Sequence, residues 1–521
     1  VGPWCELNIK TKLLKNTIVN YLIQFWTWAV AFFLFPLIVH YLGTSAAGIW
    51  LLVNSLTRYF SILDLGIGPS LTKYVAQYRA QEDEERLSQS IGTTFFIYLA
   101  MGLLTAIGLF ILGYFFIALF NIPTELVQKG KIITYITAAT MLLAIPMGTF
   151  GGVLRGLQRY DIPALADFSV SIPRILLILL LLPRGYGVVT LVLINSLSSV
   201  LSWVVNAYYT KKLLPFLRIS FSLFNKEMVK TLFGLAVSLF LINVSMMIVY
   251  PTDRIIIGAF LPVGLIIFYE AAYMIYHLVR KAPQLLASAV IPAASELDTK
   301  RDTRSLQMLF LKGTKYMTAF FLALAIPALL LSKEMLTCWM GSEFGSYYLL
   351  TVIFILHLFF NYNHLFAFKL LAGMNKVTFT LWYYLTSALL NLVLSLILVQ
   401  KIGLIGVVLG TAIPYAVLEP VFIWYNLKTF HVNLSTYIKE VIGKIYPQGV
   451  IMALLLYLFK SYFLPRSVLA VGIFVFFSAT TYLVLFYIFG IKDREKRDLL
   501  AMGNGLFFEM RQRLANSKLF W

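Results

Sequence analysis

Long, unbroken apolar runs fill this chain almost end to end, and they decide its fold class before any motif is considered. A helix crossing the bilayer core needs about 20 apolar residues at ~1.5 Å rise each. We read about fourteen such stretches, at 18–42, 49–74, 91–117, 132–152, 163–182, 188–208, 233–261, 263–291, 317–331, 348–368, 379–399, 403–424, 450–463 and 468–489. The runs at 317–331 and 450–463 are the shortest on paper. Only 12% of the residues are charged, about half the density that covers a soluble surface. Hydrophobic residues make up 60% and aromatics 16%, which excludes a disordered chain. A β-barrel would show short alternating strands instead of continuous runs. The expected fold class is an all-α polytopic membrane protein.

Basic residues set the orientation, because Lys and Arg accumulate on the cytoplasmic side. With the N-terminus inside, the inner loops collect Lys10, Lys12, Lys15, Lys211, Lys212, Arg218, Lys300, Arg301, Arg304, Lys492, Arg494, Lys496 and Arg497. Both termini are therefore expected in the cytoplasm, with the chain in the cytoplasmic membrane. Glu82, Asp83, Glu84 and Glu85 crowd one inner loop, which the rule tolerates because acids count little. The segment 491–521 interleaves basic residues with Leu499, Leu500, Phe507, Phe508 and Leu514 and reads as a basic amphipathic helix on the inner face. The net charge of +19 is met by this topology and by anionic lipid, and an anionic cargo is the sharper reading. No soluble stretch is long enough for a nucleic-acid domain. Cys5 and Cys338 fall on opposite faces, so no disulfide framework is expected. The chain starts at Val1, and no cleavable signal peptide is apparent ahead of the first run.

The chain also repeats itself. Leu154-Arg-Gly-Leu-Gln-Arg159 matches Leu371-Ala-Gly-Met-Asn-Lys376, and Gly187-Val-Val189 matches Gly406-Val-Val408 at nearly the same offset. At that offset the charged segment 79–87 meets 296–306. Such order implies two six-span halves in the same orientation, a parallel repeat about an axis along the membrane normal. The expected organisation is an N-lobe over 1–225, a C-lobe over 226–430, two further spans over 431–490 and the tail.

Asp64-Leu-Gly-Ile-Gly68 followed by Thr72-Lys-Tyr-Val-Ala-Gln77, then Gly156-Leu-Gln158 and Asp253-Arg-Ile-Ile-Ile-Gly258, resembles the Wzx-type O-antigen and polysaccharide flippases of the multidrug/oligosaccharidyl-lipid/polysaccharide (MOP) exporter superfamily. The resemblance covers nearly the whole chain. It implies a V-shaped, MATE-like exporter and an undecaprenyl-diphosphate-linked glycan as cargo, with glycan polymerase and assembly proteins as further partners. The arginine-rich signature of lipid II flippases is not evident, which lowers that alternative.

Ionisable groups inside spans cost ~2.5–3.5 kcal/mol each on insertion scales, so each needs a partner or a wet cavity. Arg58 lies well inside the second run, with Asn54 and Ser61 on its face. Arg174 lies midway along the fifth, with Asp167 two turns earlier. Asp253 and Arg254 are adjacent in the seventh and cannot face each other well. Glu270, Tyr273, His277, Lys281 and Gln284 recur at helical spacing in the eighth, flanked by Arg280. His357, Asn361 and His364 repeat the pattern more weakly in the tenth, and Glu419 sits between Pro414 and Pro420. We assign Arg58, Arg174, Arg254, Arg280 and Lys281 to a cationic cavity that binds the cargo. Asp64, Asp167, Asp253, Glu270, His277, His357, Asn361 and His364 are candidates for its wall or for H+ or Na+ coupling.

A diphosphate and many hydroxyls cannot cross hydrocarbon unaided, and guanidinium groups are well shaped to hold phosphate. Catalytic constellations, metal spacings and phosphate-binding glycine loops are absent from the sequence, so no enzyme and no cofactor are expected. A drug antiporter of the same superfamily would want an acidic cavity. A membrane-embedded glycan polymerase would want a large outer loop.

Overall fold

The computed structural model describes residues 3–60, 66–233, 249–287, 290–493 and 495–497, with side chains from residue 23 onward. Asp64, Arg494, most of the 233–261 run and the tail beyond 497 lie outside the described residues, as do the side chains of Asn361 and His364.

Helices account for nearly all of it: α1 Pro3–Phe60, α2 Ile67–Ala80, α3 Glu84–Tyr114, α4 Thr124–Gly156, α5 Asp161–Leu181, α6 Val188–Leu213, α7 Val249–Phe260 and α8 Leu265–Lys281, then α9 Val290–Thr299, α10 Thr303–Leu330, α11 Ser332–Met340, α12 Tyr348–Gly373, α13 Thr378–Thr429, α14 Gly443–Tyr462 and α15 Val468–Leu485. Among the described residues, nine helical segments are long and apolar enough to cross a membrane. Two of these nine contain a break. Ile23–Tyr59 changes course at Gly43 (φ 76°, ψ 164°), and Thr378–Thr429 at Ile402–Gly403, where Gly403 has φ 61° and ψ −135°. These are backbone regions that essentially only glycine enters cheaply.

Three runs differ in detail from their sequence reading. The run 49–74 holds parts of two helices, because α1 ends at Phe60 and Gly66 adopts a left-handed conformation before α2. The run 263–291 leaves the α-helix at Ala282 for a 3-10 segment through Ala287. Pro283 lies in that segment and has no N–H to donate, so Gln284 is not at α-helical spacing from Lys281. The short run at 317–331 belongs to the 28-residue α10, which starts earlier than its apolar content suggested because Lys312 and Lys315 lie inside it.

By contacts, the chain forms two compact units: residues 1–270 with 384–411, and residues 271–383 with 412–521. In the first unit, Leu71, Val75 and Tyr78 of α2 pack with Leu87, Ile91 and Val153. Gly156 makes this possible, since a Cβ there would lie 2.7 Å from Val75 Cγ1 and 2.8 Å from Thr72 O. In the second unit Gly373 has the same relation to α9, where a Cβ would meet Ile291 O at 2.5 Å.

The turns recur as well. Asp83 caps α3 by accepting from Arg86 N, and Asp302 caps α10 by accepting from Ser305 N, each satisfying an otherwise orphaned helix-end donor. Glu82 and Arg301, each just ahead of its cap, share positive φ (57° and 54°). Gln158 and Asn375 follow the two glycines with φ 60° and 56°. The side chains differ at these positions while the backbone repeats.

Gly403→Ala places a Cβ in a conformation costing about 1–3 kcal/mol. A scan of the detergent-purified protein should show its melting temperature lowered by several degrees. Gly472→Ala, mid-helix with open space around it, should leave the melting temperature unchanged or slightly raised.

Candidate functional site

In the first unit, α7 carries Asp253 and Arg254, whose side chains diverge around the helix. Arg254 is 3% exposed and turns to α8, where its Nη2 lies 2.6 Å and its Nε 2.7 Å from Glu270 Oε2. Its Nη1 reaches Ser55 Oγ of α1 at 3.5 Å. Arg254 and Glu270 therefore cancel one another, and the acid of the α8 stripe is already engaged.

Asp253 is fully buried. Its Oδ2 accepts from Tyr269 Oη at 2.8 Å and from Thr411 Oγ1 at 2.7 Å, while its Oδ1 has no hydrogen-bond partner. Asn391 donates through Nδ2 to Thr411 Oγ1 at 2.8 Å, and its own Oδ1 is likewise unpartnered. Ser395 donates to the Val407 carbonyl at 3.3 Å. With Arg254 and Glu270 balanced, an ionised Asp253 would leave one uncompensated negative charge in the membrane interior, where such charge is expensive. The two orphaned oxygens have the chemistry of a small-cation or proton site.

A second feature of this unit is a cavity of about 210 Å3 lined from α1, α5 and α6, with Trp26, Asp167, Arg174, Ser198, Ser199 and Ser202 on its wall. Asp167 Oδ1 accepts a short hydrogen bond from Ser202 Oγ. Arg174 Nε is buried without a hydrogen-bond partner, a state that costs about 1–3 kcal/mol. Trp26 Nε1 donates to Ser171 Oγ at 2.9 Å. Arg58 sits on an exposed position near the end of α1.

In the second unit, Lys281 is the last residue of α8, and its charged neighbours among the described residues are Arg280 and Lys369 of α12. Lys281 and Lys369 are both partly buried, so these two cations share a poorly solvated place. His277 packs beside Tyr273 with its ring tilted, 5.8 Å between centroids. His357 is 3% exposed between Tyr276 and Tyr415, at 5.4 and 5.7 Å. Glu419 is buried and accepts from Tyr383 Oη at 3.1 Å. Lys315, buried in α10, meets Glu495 at 2.6 Å. Burial pushes the Glu495 carboxyl up, but the Lys315 ammonium outweighs it and holds it below its ordinary value. Cys338 donates to the Pro465 carbonyl at 3.7 Å.

The sequence reading missed Lys369, because it ended the tenth run at Phe368. The repeat held the missing signal: Gly156 closes α4, so its counterpart Gly373 should close α12, which carries the helix past Lys369. Tyr269, Asn391 and Thr411 gave no signal, since a hydroxyl or amide in an apolar run usually bonds its own helix.

A family model described as "Polysaccharide biosynthesis protein" matches residues 13–298. The Haloferax volcanii "Probable low-salt glycan biosynthesis flippase Agl15" is 26% identical over 234 residues, covering 44% of this chain and 48% of that protein, so the match spans about half its length. The Shigella flexneri "Putative O-antigen transporter" is 24% identical over 71% of this chain and 87% of its own. Among solved structures, lipid II flippase MurJ in an inward closed conformation superposes with a TM-score of 0.69 at 15% identity, covering 93% of this chain and 100% of that one. An inward-facing MATE family transporter of the MOP superfamily gives 0.66 at 17% identity over 81% and 99%. These two likenesses show the fold: a MATE- and MurJ-like, multi-pass helical membrane protein.

Removing one partner of the Arg254–Glu270 pair strands a buried charge, at a cost of about 3–5 kcal/mol. Glu270→Gln should therefore sharply lower the amount of folded, membrane-inserted protein. The double variant Arg254→Met with Glu270→Met should recover most of it, measured by fluorescence-detected size exclusion.

Proposed function

The chain belongs to the polysaccharide biosynthesis protein family, Wzx-like flippases with the MOP fold, and from that premise we propose that it carries an undecaprenyl-diphosphate-linked oligosaccharide from the inner to the outer leaflet of the cytoplasmic membrane by alternating access. It is a transporter and not an enzyme. The reading includes fourteen spans, both termini in the cytoplasm and lobes over 1–225 and 226–430. The recurring caps and left-handed turns at Glu82 and Arg301, and at Gln158 and Asn375, support the duplication.

The observation that carries the cargo is the pairing of two partly buried cations, Lys281 and Lys369. Half-buried like charges repel one another, and a polyanion relieves that repulsion while forming charge-assisted hydrogen bonds. A diphosphate is such a ligand, and its polyprenyl tail can remain in lipid. Arg254 serves instead to hold α7 against α8 through Glu270.

Energy for the step has two sources. Moving one negative charge outward gains ~2.3 kcal/mol per 100 mV of inside-negative potential, and a dianionic head gains about twice that. Asp253 supplies the second: a proton or a sodium ion at Oδ1 and the nearby Asn391 Oδ1 cancels the buried charge, so its binding and release couple the ion gradient to the conformational cycle. Glu270 is already engaged by Arg254, so the coupling assignment rests on Asp253.

Lys281→Gln and Lys369→Gln should each cut export about tenfold or more, as expected when a hydrogen bond to a charged group, ~1.5–3 kcal/mol, is lost. Lys→Arg should retain most of it. The measurement is glycan reaching the outer leaflet per molecule of inserted protein. Normal export by both neutral variants would contradict the diphosphate assignment.

A further inference from the structure

We infer that the half-open cavity lined by α1, α5 and α6 is a subsite for one uncharged sugar ring of the cargo, an inference that rests on the glycan-transport reading above. Size is the first argument. A cavity of ~150 Å3 accepts benzene, and this one measures about 210 Å3, enough for a six-membered ring with substituents.

Charge is the second. Asp167 and Arg174 line the same cavity, so it carries both signs. A free phosphate would meet the carboxylate, and a metal or organic cation would meet the guanidinium. A neutral polyol satisfies both at once, because each hydroxyl donates and accepts. Its donors go to Asp167, and its oxygens take terminal guanidinium N–H groups of Arg174, which lines the cavity. Ser198 adds a hydroxyl to the wall, and Ser199, whose hydroxyl donates to the Asn195 carbonyl at 3.0 Å, adds an acceptor.

Rigidity is the third. Ser202 holds Asp167 by a hydrogen bond to Oδ1. The indole of Trp26 is tied through Nε1 to Ser171, which in turn donates to the Phe168 carbonyl at 2.6 Å, and it packs edge-to-face on Phe168 at 5.4 Å. An immobilised aromatic wall beside fixed polar groups is how small-molecule sites obtain orientation as well as affinity. Arg174 thereby acts as a hydroxyl-recognising donor, and the subsite reads glycan identity separately from the diphosphate anchor at Lys281 and Lys369.

The test uses the full chain purified in detergent and titrated calorimetrically with the methyl glycosides of glucose, galactose, mannose and N-acetylglucosamine. Methyl glucuronoside and inorganic phosphate serve as charged probes. Saturable binding of at least one neutral glycoside is expected, weakened about tenfold or more by Asp167→Asn, and by Ser199→Ala to a smaller extent, with phosphate failing to compete. Trp26→Phe, which keeps a ring on the wall, should preserve binding better than Trp26→Ala. Failure of all four neutral glycosides to bind, competition by phosphate, or indifference to Asp167→Asn overturns the inference. Export separates this from the wider reading. If the Asp167 and Trp26 variants export normally while Lys281→Gln and Lys369→Gln do not, the sugar subsite is wrong and glycan transport stands. If the lysine variants also export normally, the transport reading itself falls.

Discussion

Charge inside hydrocarbon is the constraint on which the rest of this molecule depends. Every ionised group in a span must be matched, hydrated or neutralised. The chain meets that demand locally where the role is structural. Arg254 is matched by Glu270 across two consecutive helices, and Lys315 by Glu495 from the segment after the final helix. What remains after these pairings is informative, because it is retained at a cost. Asp253 keeps an unpartnered oxygen, and Lys281 keeps other cations as its charged neighbours. Groups of this kind are expected at transport pathways, where a passing ion or headgroup completes the match.

A second economy lies in the backbone. Gly156 and Gly373 let one helix approach another to within contact of its main chain, and Gly43 and Gly403 redirect long apolar helices without a long loop. The caps at Asp83 and Asp302 show the same economy: one solution to ending and restarting a helix serves twice.

Much of the fold was legible in the sequence, since the period and length of an apolar run are direct consequences of bilayer thickness. Two matching turns were legible for a related reason: turns that require glycine or a left-handed residue leave fixed marks, as at Gly156 and Gly373. Helix ends were less legible where charge enters a span. Lys312 and Lys315 concealed the first half of α10, and Lys369 was placed in a loop when it lies in the last two turns of α12. The sequence also pointed to Arg254 as a cation for cargo, and its partner Glu270 was visible only as a polar position on another helix. Pairing across helices is a three-dimensional property that no spacing along one helix encodes. The Asp253 cluster is the clearest case, assembled from residues 253, 269, 391 and 411.

The most direct test of the central claim is reconstitution. Purified protein is placed in vesicles with an undecaprenyl-diphosphate-linked oligosaccharide, and the fraction of glycan open to a membrane-impermeant oxidant is followed over time. The account predicts that this fraction rises with protein, faster when the potential draws anions toward the oxidant, and that recovered glycan is covalently unchanged. A fraction that stays at the protein-free level, or a glycan whose linkages have changed, would contradict it.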